Sequence, residues 1–196
     1  MSLVPELQAA RAPATPDEVV GAVAGFRGDA GRLQAMLELQ PMPIYLTDAD
    51  GWVTFFNRAC IDFAGRTPVA GEDRWCVTWR LHTESGAVLP HEECPMATAL
   101  RDRRAVRGAV AVAERPDGTR VLFTPYPTPI FGEDGRLEGA VNALIDVTDQ
   151  RQAGALKAQA RRCRRLAQTV SDTRTVATLK AMAVEYDEKA RALVSE

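Results

Sequence analysis

Ile44-Tyr45-Leu46-Thr47-Asp48-Ala49-Asp50-Gly51-Trp52-Val53-Thr54-Phe55-Phe56 sets an acidic-Gly turn between two short apolar runs. Arg115-Pro116-Asp117-Gly118 and Gly132-Glu133-Asp134-Gly135 repeat the device further along. Asp-Gly between apolar segments is a strong hairpin signal, because the turn needs φ > 0 and Gly supplies it without steric cost. The pattern predicts an antiparallel sheet interrupted by short helices, an α+β fold. Its first hairpin pairs Ile44–Thr47 with Trp52–Phe56, and Asn57–Phe63 reads as a short helix ended by Gly65 and Pro68. A second helix runs from Pro90 to Arg103, regular only from about Cys94 because Pro95 fits a first turn and nothing later. Three strands follow, Val106–Glu114, Arg120–Ile130 and Leu137–Ile145. Pro125, Pro127 and Pro129 put three missing N–H groups on one side of the middle strand, which assigns that part to a sheet edge or an irregular segment.

Outside this core the chain changes character. Residues 1–15 contain Pro5, Pro13 and many Ala and are expected to be disordered. Residues 16–40 carry an amphipathic helical pattern, broken near Gly28-Asp29-Ala30-Gly31 and stopped before Pro41 and Pro43. At the other end Asp146-Val147-Thr148 hands the last strand to a long helix. Leu156, Ala160, Cys163, Ala167 and Val170 then repeat at spacings of four and three. Ser171-Asp172-Thr173 offers an N-cap, and Val176, Leu179, Ala183, Tyr186, Ala190 and Leu193 resume the repeat. Residues 150–196 therefore form a helical hairpin or a coiled coil. Leu156, Cys163, Val170, Leu179, Tyr186 and Leu193 mark its interaction or dimer seam.

The 196 residues leave room for one ordinary domain, residues 41–149, plus helical extensions. Net charge is −2, which gives no general attraction to nucleic acid or anionic membrane. Ten Lys or Arg stand against five Asp or Glu from Arg151 onward, so that segment carries +5 and the remainder −7. Apolar runs fall short of the roughly 18–20 residues that span a bilayer, and residues 1–15 lack the basic start and apolar core of a signal peptide. A cytoplasmic protein is expected. Cys60, Cys76, Cys94 and Cys163 are scattered with no Cys-x-x-Cys, a pattern of buried thiols in a reducing compartment.

Several segments taken in order resemble a PAS domain, the sensor module of many bacterial signalling proteins. They are Ile44–Gly51, Val53–Ala59, Leu89–Met96, Arg115–Arg120, Asp134–Val141 and Asp146–Asp149. The resemblance covers about Leu39 to Gln152. It implies a five-stranded antiparallel sheet with flanking helices, often enclosing a ligand cavity. It also implies detection of a small molecule or a partner's state, with output through the helix after Asp146-Val147-Thr148. Asp146 and Thr148 would then transmit the signal, beside their simpler role as caps of that helix. A homodimer is expected, regulating through its flanking helices a signalling protein such as a histidine kinase, response regulator or cyclase.

Tyr45, Phe56, Phe63, Trp75, Trp79 and Met96 are the candidates to line a ligand cavity, against the plainer reading that they fill the core. No cofactor is required by the sequence. Haem would need His82 or His91 as its imidazole ligand. Cys76, His82, His91 and Cys94 have ligand chemistry but match no zinc spacing, so no metal is expected. Cys60 lies in Asn-Arg-Ala-Cys-Ile-Asp and does not match the reactive-Cys motif of flavin photosensors of this family. Arg161-Arg162-Cys163-Arg164-Arg165 is a dense basic run, read as a solvated helix face, a surface for an acidic partner or, least favoured, the DNA-contacting helix of a transcriptional regulator. There is no Gly-rich phosphate loop, no Gly-x-Ser-x-Gly and no His on the terminal helices, so no enzyme is expected.

Overall fold

The computed structural model describes residues 15–194. All but Thr15 of the stretch expected to be disordered lies outside the described residues, and so do Ser195 and Glu196. The chain divides into two compact units at Ile145 and Asp146.

The first unit begins with two helices, α1 (Pro16–Ala24) and α2 (Ala30–Glu38). Thr15 and Glu18 form a capping box that starts α1, and the Asp29 carboxylate accepts from Arg32 N to start α2. Strands β1 (Ile44–Asp48) and β2 (Val53–Phe56) follow, then α3 (Arg58–Ala64). A long loop leads to β3 (Arg80–His82), a 3₁₀ turn at His91–Glu93 and α4 (Pro95–Asp102). Strands β4 (Ala111–Glu114), β5 (Arg120–Pro125), β6 (Thr128–Phe131) and β7 (Leu137–Asp146) complete the unit.

These strands form one antiparallel sheet in the order β2-β1-β7-β5-β4-β3, with β6 also paired to β7. Seven segments stand where five strands were expected, for two reasons. The strand predicted over Arg120–Ile130 is split at Tyr126-Pro127 into β5 and β6, and β3 adds a three-residue edge. The prolines also explain why β4 begins at Ala111 rather than Val106. Pairing between β4 and β5 ends at Ala111 opposite Phe123. Beyond it Pro125 and Pro127 present no N–H, so the regular ladder stops, and Val106 N donates to Pro127 O at 3.2 Å.

All three acidic-Gly turns close alike. Asp48 N donates to Trp52 O, Arg115 N to Thr119 O and Gly132 N to Arg136 O, at 2.8–2.9 Å. In each an Asp carboxylate accepts a backbone N–H two residues on, at Asp50, Thr119 and Arg136. Gly51, Gly118 and Gly135 sit at φ +88, +84 and +75.

Strand β7 is the hub, buried on both faces from Gly139 to Leu144. Ala140 and Leu144 join the core beneath α3 and α4, with Tyr45, Phe63, Met96 and Phe123. Phe63 meets Phe123 edge-on with ring centroids 5.3 Å apart. Val141 and Ala143 face the other way, into a second core with Val20, Val23 and Leu37 of α1 and α2. The period-2 alternation of β7 thus gives one strand two cores. The N-terminal amphipathic segment, as two helices, covers the outer face of the sheet.

The second unit is a helical pair, α5 (Thr148–Thr169) and α6 (Thr173–Ala192). Ala160, Cys163 and Ala183 are buried between the two, with Leu179 and Tyr186 packed against them. Leu156, Val170 and Leu193 are half-buried. The Asp172 carboxylate caps α6, accepting from Thr175 N at 2.7 Å and Thr175 Oγ1 at 2.6 Å. Those bonds hold its carboxyl below the ordinary value of 3.8, and a depressed acid stabilises the fold only while ionised. The cap's contribution is therefore present above pH 3.8 and is lost as pH falls through the folded-state value. Asp172→Ala is expected to lower the thermal midpoint of the helical signal at neutral pH, with a difference from wild type that shrinks below pH 3.8; a difference independent of pH counts against the cap.

Among the described residues no helix is long and apolar enough to cross a membrane.

Candidate functional site

The loop between α3 and β3 builds a cleft against the 3₁₀ turn. Arg66 enters from the end of α3, and its guanidinium pairs with Asp73 at 2.5 Å and donates to Val77 O at 3.2 Å. The same Asp73 oxygen accepts from Val69 N at 2.7 Å, so one carboxylate folds the loop back on itself. Arg74 Nε donates to Asp50 O at 2.8 Å, and its guanidinium lies over Trp52 at 5.1 Å and over Trp75 at 4.5 Å. The loop is thereby fastened to the first hairpin. The cleft holds about 390 Å³ and is lined by Arg66, Asp73, Arg74, Trp75, Trp79 and His91 with their neighbours.

Trp75 is the strained point of this loop. Its φ is +68, a left-handed conformation costly for a bulky side chain. Three contacts hold it there. Trp75 N donates to Gly51 O at 2.7 Å. Its ring lies where a Cβ on Gly51 would stand, 2.1 Å from the ring carbons, so the hairpin glycine serves the turn and the stacking together. Finally, Tyr45 Oη donates to Trp75 O at 3.0 Å.

That last bond opens a buried polar chain. Asn142 Nδ2 donates to Tyr45 Oη at 3.0 Å, and Asn142 Oδ1 accepts from Tyr126 N at 2.8 Å. A strained carbonyl at the cleft is thus linked through β1 to the middle of β7. Burial, with Cys76 and Cys94 nearby, pushes the Tyr45 phenol well above its usual range, so it stays a neutral donor. Cys94 is pushed up to about 12 by burial, and Cys76 is also raised. These thiols are protonated and poor nucleophiles. Cys60, likewise buried and raised to about 12, donates to Ile44 O.

Of the six cavity candidates, Tyr45, Phe63 and Met96 lie in the packed core and Phe56 and Trp75 at its border. Trp79 is 40% exposed, with the Arg80 guanidinium 4.1 Å from its ring. Only Trp75 and Trp79 line the cleft. His91 also lines it, with Nε2 3.4 Å from Thr78 Oγ1, and burial and the Arg66 charge lower its pKa. His82 is buried on β3 with Nε2 3.0 Å from a Glu114 carboxylate oxygen. Arg66, Glu72, Asp73, Arg74 and Glu92 give the cleft at His91 a charged lining, which does not fit the apolar faces of a haem. Among the described residues no three His, Cys, Asp or Glu side chains gather as a metal site.

At the exit of β7, Asp146 Oδ1 accepts from Thr148 N at 2.8 Å, beside the first turn of α5. Asn142, Arg66, Asp73 and Arg74 carry the geometry yet did not stand out in the sequence. Arg74 beside Trp75 was the available signal for stacking, while the approach of Trp52 is visible only in the fold. Asn142 had a weaker one, a lone amide inside an apolar strand.

A family model described as "PAS fold" matches residues 37–152. Among curated proteins no match is found. Similar solved structures include an RNA-binding light-oxygen-voltage receptor, 24% identical over 63% of this chain and 35% of that one, with a TM-score of 0.47. The chain therefore spans about a third of that receptor's length. A Rhodobacter sphaeroides LOV protein is 14% identical over 85% of this chain and 96% of that one, with a TM-score of 0.46. The PAS domain of the fruit-fly ELK potassium channel is 10% identical over 62% and 99%, with a TM-score of 0.49.

Proposed function

The chain belongs to the PAS-fold family, and we propose that it is a sensory signalling module whose input is the cleft at Trp75–Trp79 and whose output is the α5–α6 pair. The observation that carries this reading is the hydrogen-bond chain from Trp75 O through Tyr45 to Asn142 on β7. An occupant that presses on the Trp75 loop changes the strain at φ +68, and the change reaches β7 through two buried side chains. Strand β7 continues through Val147 into α5, with Asp146 holding the N–H of Thr148 at the junction. In this reading Asp146 and Thr148 transmit the signal.

Tryptophan faces beside Arg66, Thr78 and His91 suit a small polar molecule with a planar face. We assign the module no catalytic step; its sequence carries no phosphate loop or nucleophile motif. We place it in the cytoplasm as a homodimer that regulates a kinase, response regulator or cyclase through its helices. Exposed Leu166, Met182 and Val184 on the helical pair support self-association, and a sedimentation series showing only monomer would remove that part.

The cleft is tested on the full chain recovered under native conditions from its own cells. A native mass spectrum is expected to show a small-molecule adduct in wild type that is lost in Trp79→Ala. This side chain is exposed, so its truncation leaves the core intact. An adduct absent from both proteins, or equal in both, overturns the assignment.

A further inference from the structure

The charges that line the Trp75–Trp79 cleft do not balance. Arg66 and Arg74 share it with Glu72, Asp73 and Glu92. Arg66 is closed on Asp73 by the 2.5 Å ion pair. Arg74 turns its Nε to Asp50 O and lays its guanidinium on Trp52 and Trp75. Among the described residues Glu72 and Glu92 make no side-chain hydrogen bond or ion pair. Two open carboxylates therefore stand against one guanidinium, an excess of one negative charge that a cation relieves. His91 adds nothing to the positive side, because burial, and then the Arg66 charge, lower its pKa and keep the ring neutral at neutral pH.

The aromatic walls favour the same sign. A tryptophan face attracts a cation through its ring quadrupole. The chain's own side chains already sit this way: the Arg74 guanidinium lies 4.5 Å from the Trp75 ring and the Arg80 guanidinium 4.1 Å from that of Trp79. Arg80 does not line the cleft, and Trp79 stays 40% exposed beside it, so the ring keeps surface for a ligand. Both of these cations are flat, a shape that stacks on an indole while its N–H groups at the edge stay free for carboxylates.

We propose that the occupant of this cleft is a flat organic monocation of the amidinium or guanidinium kind, stacked on Trp79, with Glu72 and Glu92 supplying its counter-charge. This assignment rests on the reading of the cleft as the module's input. The carboxylates select the charge and the indole selects the shape.

Titration of the full chain with benzamidine, benzamide and benzoate tests it, since these are a cation, a neutral amide and an anion of one shape. The indole N–H signals of Trp75 and Trp79 in a proton–nitrogen NMR spectrum report binding at the cleft. Saturable binding of benzamidine is expected, with benzamide at least tenfold weaker and benzoate weaker again. The double variant Glu72→Gln/Glu92→Gln is expected to lose about tenfold in benzamidine affinity, as for two solvated charge contacts, and to bind benzamide as wild type does. Both glutamates are exposed, so their replacement leaves the fold intact. Glu133→Gln, also exposed but outside the cleft, is expected to bind like wild type. No saturation with benzamidine, benzamide or benzoate as tight as benzamidine, or a double variant equal to wild type overturns the proposal. A native adduct lost in Trp79→Ala, together with equal binding of the three probes, removes the charge assignment and keeps the cleft as the input. Charge-selective benzamidine binding that needs Glu72 and Glu92, with no native adduct, removes the input reading and keeps the charge assignment.

Discussion

Gly139→Ala is expected to destabilise the sheet unit by about 3 kcal/mol or more, the upper range for overpacking a closed site. Gly139 stands in β7 opposite Asp48 of β1 on one side and Ile130 of β6 on the other. A Cβ there would lie 2.0 Å from Thr47 O and 3.0 Å from its carbonyl carbon. Both atoms are backbone, in a ladder continuous from Ile44 to Asp48, so no side chain can turn aside. The variant must part β1 from β7, and with them both cores. Chemical denaturation followed by tryptophan fluorescence reads the loss, and stability within 1 kcal/mol of wild type would contradict the tight approach of the two strands.

Asn57→Leu is expected to cost about 3 kcal/mol, because each buried polar group left without its partner costs about 1–3 kcal/mol. Asn57 is fully buried, and its amide joins three elements. Its Oδ1 accepts from Ile44 N at 3.0 Å, while Nδ2 donates to Leu37 O, Gln40 O and Met42 O at 2.9–3.2 Å. Leu37 is in the last turn of α2 and Gln40 and Met42 follow its end, where the helix supplies no further N–H to these carbonyls. Leucine fits the volume but takes the partner from a strand N–H and from the Gln40 and Met42 carbonyls, while Leu37 O keeps the Gln40 N–H at 3.1 Å. The expected drop in thermal midpoint is roughly 10 °C for a unit of this size. Asn57→Asp is expected to be worse still, because a carboxylate would face three carbonyl oxygens. If Asn57→Asp matched wild type, the amide would not be the clasp described.

Which parts were legible follows from where the signals lie. Each acidic-Gly turn is local chemistry, and all three turns form where Asp48, Asp117 and Asp134 place them. The spacing of Ala160, Cys163, Ala183 and Tyr186 is also local and marks the seam of the helical pair. The three prolines were legible as an irregularity, but their consequence for β4 was not. That requires knowing which strand pairs with which, a long-range fact. The cleft was harder still. Trp75 and Trp79 stood out as aromatics, but nothing near Trp75 in sequence shows that it is left-handed and held by Tyr45, thirty residues away. Tyr45, Phe63 and Met96 looked the same as cleft residues on paper, because an aromatic or methionine serves a core and a ligand wall equally well. Basic residues in the Arg161–Arg165 run divide between a groove shared with Asp187 and Arg191 of α6 and open surface, according to helix phase and the position of α6, which composition does not contain.

In the proposed module the Trp75 loop and the exit of β7 are coupled through Tyr45. Amide hydrogen exchange of the full chain, wild type against Tyr45→Phe, tests it most directly. Removing one hydroxyl unlinks Trp75 O from Asn142 without emptying the core around the ring. Faster exchange is expected in two places together, residues 70–80 of the loop and residues 141–152 across the junction of β7 and α5, with β4 unchanged as an internal reference. Faster exchange confined to residues 70–80, with residues 141–152 as in wild type, would contradict it.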